Sequence, residues 1–405
     1  MVKRRYFAFV LGDKSMDYQG TISRGVRAPI IRQGDDLVKI TADCVINASQ
    51  QGGFELNDKD VVAVTEAVLA RSQGNYATVD DIATDVRAKF GDQTVGLVFP
   101  ILSRNRFSMV LKGIAMGVKK LIVQLSYPSD EVGNSFVTPD KLMELGVNPY
   151  TDVFTGAEFH QKFGDVRHTF TGVDYIEYYE KMTGCEVILA NNPTEILKYT
   201  KNVICADIHT RFRTKKVIQN AGATKVITLD EILNSSVNGS GYNDRFGVLG
   251  SNLATENSIK LFPRDAQQFV DKLQAEFKAR TGKNIECMVY GDGAFKDPVC
   301  GIWELADPVA SPAFTSGLNG KPNEIKLKYL ADNDLANLSG QEAINAMKDM
   351  IKNKEDDLTN NIKSQGTTPR QLTDLLASLS DLTSGSGDKG TPIILIQNYF
   401  KNYSM

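Results

Sequence analysis

The chain is short of the features that mark the commoner function classes. Its 405 residues hold five cysteines (Cys44, Cys185, Cys205, Cys287 and Cys300), scattered and odd in number. None form a C-x-x-C pair, which excludes the usual zinc spacing and a disulfide framework. Reduced thiols in the cytoplasm are the expected state. No apolar run reaches the ~18 residues of a membrane-spanning helix. Lysine and arginine never form a block and the net charge is −3, so neither nucleic acid nor a membrane is an expected partner.

Catalytic signatures are also missing. The three histidines, His160, His168 and His209, never take the H-E-x-x-H spacing of a metal-binding helix. His209 follows a strand end in Asp207-Ile-His-Thr-Arg211, and nothing in the sequence fixes a partner for it. Gly282-Lys283 and Gly320-Lys321 lack the following Ser or Thr of a phosphate-binding Walker A loop. Gly385-Ser-Gly-Asp-Lys-Gly390 matches G-x-G-x-x-G, but it follows a helix and precedes a strand. That is the reverse of the dinucleotide-binding context, which argues against a nicotinamide dehydrogenase. G-x-S-x-G is absent.

What is present is an ordinary globular composition, 42% apolar and 23% charged, at a length suited to two domains. The segment 6–11 is apolar but too short for a signal peptide, and reads as a first strand. Residues 30–40 read as an entry strand, a polar turn and the start of a helix that continues through Ala42, Val45 and Ile46. Residues 61–65 form a β-rich run. Thr78-Val-Asp-Asp81 is a capping box opening a helix to about Phe90, with Gly91 as its stop.

Strands at 97–101, 120–125, 186–190, 203–206 and 225–229 alternate with helices at 105–116, 173–183, 194–200 and 211–221. A loop-rich passage covers about 126–172. This alternation predicts a mostly parallel, Rossmann-like sheet. Residues 236–250 read as a linker. Asp265 is expected to cap a helix whose apolar residues Ala266, Phe269, Val270, Leu273 and Phe277 follow helical spacing. Helices are expected at 332–352, broken at Gly340, and at 371–382, with a last strand at 392–397.

The stretch Cys287-Met-Val-Tyr-Gly-Asp-Gly-Ala-Phe-Lys-Asp-Pro298 carries the chemistry. A strand stops at two glycines flanking Asp292, where a carboxylate on close-approaching backbone suits a metal and phosphates. A solvated turn is the bland alternative. Ser251-Asn-Leu-Ala-Thr-Glu-Asn-Ser258 adds an amide, a carboxylate and hydroxyls, and Arg71 with Gln73-Gly-Asn75 adds a cation and flexible backbone. Hard oxygen ligands beside an arginine suit a magnesium-type ion bridging phosphates.

Together these stretches resemble the coenzyme F-420-0:L-glutamate (gamma-glutamyl) ligase family. Ile31-Arg-Gln-Gly-Asp-Asp-Leu37 and Asp60-Val-Val-Ala-Val-Thr-Glu-Ala-Val-Leu-Ala-Arg-Ser-Gln-Gly74 are similar to its "G-D-D-L" and "G-D-V-x-V-x-x-K-V-V-S-K-x-E-G". Residues 251–258 with Leu261-Phe-Pro263 resemble "A-N-A-G-V-D-x-S-N … L-L-P". Val289-Tyr-Gly-Asp292 resembles "I-I-x-D-T-x-G-R-P-W-R". Leu330-Ala-Asp-Asn-Asp-Leu-Ala336 and Pro392-Ile-Ile-Leu-Ile396 fit the family's later helix and closing strand.

The resemblance implies an α/β fold, with a ligase core in 1–95 and 241–405 and an inserted α/β domain in 96–240. It implies an enzyme that uses GTP, with ATP as the alternative, and Mg or Mn. Such an enzyme would phosphorylate a small-molecule carboxylate acceptor and join L-glutamate to it. It also implies a homodimer. Carried over by position, Glu256 and Asp292 are metal ligands. Arg71, Gly74, Asn75, Ser251, Asn252 and Ser258 bind the nucleotide, and Arg71 and Lys296 act in catalysis. The chain departs from the pattern at Gly293, at residues 294–298 where Lys296 is the only cation, and at Gln397-Asn398. Those departures leave open a non-catalytic binding or regulatory protein of the same fold.

Overall fold

The computed structural model describes residues 19–168, 171–292, 309–365, 371–384 and 388–404. The strand expected at 6–11 therefore lies outside the described residues, as does Lys296. The chain has an α/β fold. Its opening elements are β1 (Ile22–Val26), α1 (Leu37–Gly52), β2 (Val61–Thr65), α2 (Glu66–Ser72), β3 (Tyr76–Thr78) and α3 (Val79–Phe90). No strand forms at 30–32, and Asp36 caps α1 by accepting from the Lys39 N–H at 3.1 Å. The Thr78–Asp81 capping box forms as expected, and Gly91 closes α3.

The middle of the chain holds β4 (Thr94–Val98), α4 (Ser108–Met116), β5 (Lys120–Leu125), α5 (Pro139–Glu144), β6 (Phe154–Thr155), α6 (Gly156–Phe163), α7 (Tyr175–Thr183) and β7 (Glu186–Leu189). It continues through β8 (Asn202–Cys205), α8 (Arg211–Asn220) and β9 (Lys225–Thr228). These strands make a six-stranded sheet in the order β6-β7-β5-β4-β8-β9, parallel except for β6. Alternation along each strand sends side chains to opposite faces. Leu97, Val123, Leu189 and Ile204 face one apolar cluster; Val98, Ile122, Ile188 and Cys205 face another. Helices therefore cover both faces, as a parallel sheet requires.

The rest of the chain forms β10 (Asn252–Thr255), β11 (Ser258–Lys260), α9 (Ala266–Thr281), β12 (Glu286–Asp292), β13 (Val309–Phe314), α10 (Leu327–Asp332), α11 (Gly340–Lys352), α12 (Leu372–Ser384) and β14 (Ile393–Gln397). A second sheet runs β1-β14-β2-β12-β13. In it β2 and β12 are parallel neighbours, with Tyr290 opposite Thr65. Val62, Val64, Cys287, Val289 and Leu395 pack with α1 and α9, while Ala63, Met288, Ile394 and Ile396 pack with α12. Asp265 precedes α9 in a left-handed conformation, φ 51°, and makes no side-chain cap.

The hairpin β10–β11 joins β3 in a small third sheet. Its two faces belong to different parts of the molecule. Ile259 and Leu261 enter the core of the six-stranded sheet. Asn252 and Lys260, paired across the hairpin, turn towards the end of β2 and β12.

Candidate functional site

Two parallel strands end side by side, β2 at Thr65 and β12 at Asp292. A cleft of about 730 Å³ opens there. Thr65, Glu66, Arg71, Asn252, Lys260, Tyr290 and Gly291 line one side, and residues 28–31, Asp381, Ser384 and 390–392 the other. The β-rich run of residues 61–65 carries the chain to this end, and the switch into α2 places Glu66 on the helix's first residue.

The centre of the cleft wall is a buried ion pair. Lys260 Nζ donates to both carboxylate oxygens of Glu66 at 2.6 Å. The two side chains are only 11% and 4% exposed. Gly291 exists for this contact: a Cβ there would stand 2.1 Å from Glu66 Cγ, far inside van der Waals distance. Removing one partner of such a pair leaves an uncompensated charge, at about 3–5 kcal/mol. Arg71 stands exposed on the last turn of α2 and lines the same cleft.

The expected site residues separate into groups. Arg71 and Asn252 line the cleft, and Asp292 ends β12 one residue beyond cleft-lining Gly291. Gly74 occupies the turn after α2 at φ 61°, against Gln33. Asn75 is fully buried and satisfied by protein. Its Nδ2 donates to the carbonyls of Tyr242 and Phe262, and its Oδ1 accepts from Tyr242 N and Arg264. No atom of that side chain is left for a nucleotide.

Ser251 faces away from the cleft, into a cavity beside the six-stranded sheet. Ser258 shares a hydrogen bond with Thr255 at 2.6 Å on the hairpin, and Glu256 is exposed at the hairpin's turn. Glu66 is the carboxylate packed on Gly291, one residue before the end of β12. The sequence reading missed both Glu66 and Lys260. The signal available was a lysine inside the strand Ser258-Ile-Lys and a glutamate directly after a buried strand, 194 residues apart.

The departure at Gln397 has a structural explanation. Gln397 accepts from Arg24 at 2.7 Å and donates to Asp60 at 2.7 Å, at the end of the sheet opposite the cleft. Burial raises the Asp60 carboxyl above its ordinary pKa.

The family model described as F420-0:Gamma-glutamyl ligase matches residues 25–398. The chain belongs to that family. It is thus a ligase by family, of the gamma-glutamyl class. No curated protein matches it. Among the described residues no helix is long and apolar enough to cross a membrane.

The donor set at the cleft suits the divalent ion that the family resemblance implies. Magnesium takes hard oxygen ligands, commonly one or two carboxylates completed by substrate phosphates. The described cleft lining supplies the carboxylates of Glu66 and Asp381, and no three His, Cys, Asp or Glu side chains cluster among the described residues.

Proposed function

We propose that the cleft joins L-glutamate, or a related amino acid, to a small-molecule carboxylate through an amide bond, using GTP and Mg or Mn. The observation that carries this reading is the cleft at the paired ends of β2 and β12, with Arg71 and Lys260 on the wall that ends at Asp292. A cleft lined by two cations and opening beside carboxylates recognises an anionic nucleotide and an anionic acceptor.

In the first step the terminal phosphoryl group leaves the nucleotide and bonds to an acceptor carboxylate oxygen. In the second the glutamate amine attacks the acyl carbon, phosphate departs, and the amine loses a proton to solvent. Neither step needs a covalent enzyme nucleophile; positioning and charge neutralisation suffice. Arg71 binds phosphate oxygens from the cleft mouth. Lys260, held by Glu66, presents a fixed positive charge where the carboxylate acceptor is phosphorylated. Asn252 donates an amide hydrogen bond to orient it. Asp292 would hold the metal ion, which when bound neutralises phosphate charge.

The reading includes a homodimer, in keeping with exposed Ile30 and Leu253, 75% and 44% accessible. It also includes a cytoplasmic location, in keeping with the free thiols of Cys44, Cys185, Cys205 and Cys287. The test is incorporation of labelled glutamate into a coenzyme F-420-0-type acceptor with GTP and manganese. The reading requires acceptor- and GTP-dependent product that is absent in Lys260→Gln. Glutamate incorporation by neither a panel of carboxylates nor this acceptor, in folded protein, would give the non-catalytic reading instead.

A further inference from the structure

The six-stranded sheet changes winding direction at one place. From β4 the chain moves outward to β5, and from β8 it moves outward the other way to β9. The carboxyl ends of neighbouring β4 and β8 therefore form the topological switch point, where doubly wound sheets open a crevice. In this chain a strap crosses it.

The strap is the turn 129–135, which follows β5 on one side of β4. Its shape is set from within. Ser129 and Ser135 are antiparallel bridge partners, and Asp130 accepts from the N–H groups of Val132 at 3.0 Å and Asn134 at 2.8 Å. Asp130 also anchors the turn to the loop after β4, accepting from the Leu102 N–H at 2.8 Å. Glu131 reaches further, to the start of α8 beyond β8. Its carboxylate accepts from the N–H groups of Ile208 at 2.7 Å, His209 at 3.1 Å and Thr210 at 3.1 Å.

A second carboxyl stands against this contact. Asp207 is 1% exposed, and its Oδ2 accepts from the hydroxyls of Thr210 at 2.6 Å and Thr214 at 2.7 Å. Thr210 Oγ1 also lies 3.3 Å from Glu131 Oε1. A hydroxyl has one hydrogen, so the two carboxyls compete for it. Asp207 Oδ1 has no hydrogen-bond partner in the protein. The cations of α8 nearby are engaged elsewhere: Arg211 pairs with Asp230 at 2.7 Å, and Lys215 pairs with Glu231. The Cys205 thiol at the end of β8 is held above its ordinary range by burial and by the Asp207 charge, so it adds no charge of its own. His209 adjoins Asp207 and gives its N–H to Glu131.

We propose that Glu131 is a proton-controlled latch, holding the strap on α8 while Asp207 is neutral and letting go when Asp207 ionises. Asp207 is fixed just past a strand end and buried, so it cannot move away from a like charge. Glu131 is half-buried on a surface turn and can turn out to water. Burial first, with the Glu131 charge adding to it, raises the Asp207 carboxyl from 3.8 to about 6. Release removes that charge, admits water and returns the carboxyl towards its ordinary value. The closed form thus binds the proton more tightly, and closure is lost as pH rises through about 6. The latch is independent of the ligase reading, since none of its residues lines the cleft.

Hydrogen exchange of the full-length protein tests this, with each amide's rate corrected for its intrinsic pH dependence. Exchange protection reports the ratio of closed to open forms. The expected result is a fall in protection at Ile208, His209 and Thr210 of about tenfold between pH 5 and pH 8. Amides of the neighbouring strand, Val203 to Cys205, should stay level over the same range. Asp207→Asn removes the fall, and Glu131→Ala leaves the three amides weakly protected at every pH. A fall that persists in Asp207→Asn, which still carries His209, would overturn the proposal. Level protection in the unaltered chain would overturn it equally. If Asp207→Asn does not fold, Glu131→Gln decides: it keeps an acceptor without the charge, so the fall should flatten, and an unchanged fall would contradict the latch.

Discussion

The molecule has two sheet ends that both gather charge, and they treat it differently. At the switch point of the six-stranded sheet the carboxylates are taken up internally. Asp130 accepts from the N–H groups of Leu102, Val132 and Asn134, Glu131 from those of residues 208–210, and Asp207 from the hydroxyls of Thr210 and Thr214. At the end of β2 and β12 the charges face a cleft of about 730 Å³, and a lysine is held there by one carboxylate. A cluster of acids is therefore weak grounds for a site. A cation fixed on the wall of an open cleft is stronger, because its charge is available to a ligand while its geometry is already set.

The largest effect expected on this comparison comes from Lys260→Ala. It leaves Glu66 buried without its ammonium, and chemical denaturation should report a loss of about 3–5 kcal/mol. The double variant Glu66→Leu with Lys260→Met should recover most of that stability while remaining inactive in glutamate incorporation. Recovery of both stability and activity would make the pair a packing device only.

Next comes Asp207. Burial raises its carboxyl from the ordinary 3.8 to about 6, against the opposing hydrogen bonds from Thr210 and Thr214. A raised acid means the folded state binds the proton more tightly than the unfolded one. Its charged form is therefore disfavoured, and stability falls as pH rises from about 4 through about 6. Asp207→Asn removes that fall. Between pH 4 and pH 8 the unaltered chain should lose about 2–3 kcal/mol relative to the variant. Parallel stability curves for the two proteins would place the carboxyl at its ordinary value.

The smallest effect on the fold is expected at Arg71. The side chain is exposed, so Arg71→Gln should leave the melting temperature unchanged. Loss of a charge-assisted contact to phosphate, roughly 1.5–3 kcal/mol, should weaken nucleotide binding by about tenfold or more. A change in melting temperature without a change in nucleotide affinity would reverse the assignment.

The parts of the fold legible in the sequence were those with strong local signals. The run 120–125 became β5 without adjustment, and the Thr78 capping box set α3 to the residue. The passage 126–172 concealed α5, β6 and α6, which are two to eight residues long and too short for a periodic pattern to emerge. Asn252 and Asp292 came to the cleft or its edge because they stand at strand ends, and Arg71 because it lies on the short helix that follows β2. Asn75 and Ser251 carried the same polar, turn-like signature, yet one ties β3 to residues 242–264 and the other faces a different cavity. Glu66 and Lys260 meet only through the hairpin's packing against α2, a contact no local pattern encodes.

The central claim is that the cleft beside Asp292 holds a nucleotide and a divalent ion. Calorimetric titration of the protein with GTP, with and without manganese, tests it most directly when repeated on Asp292→Asn. The account predicts binding that requires the metal and is abolished in the variant while the fold is retained. Metal-independent binding, or binding unchanged by Asp292→Asn, would contradict it.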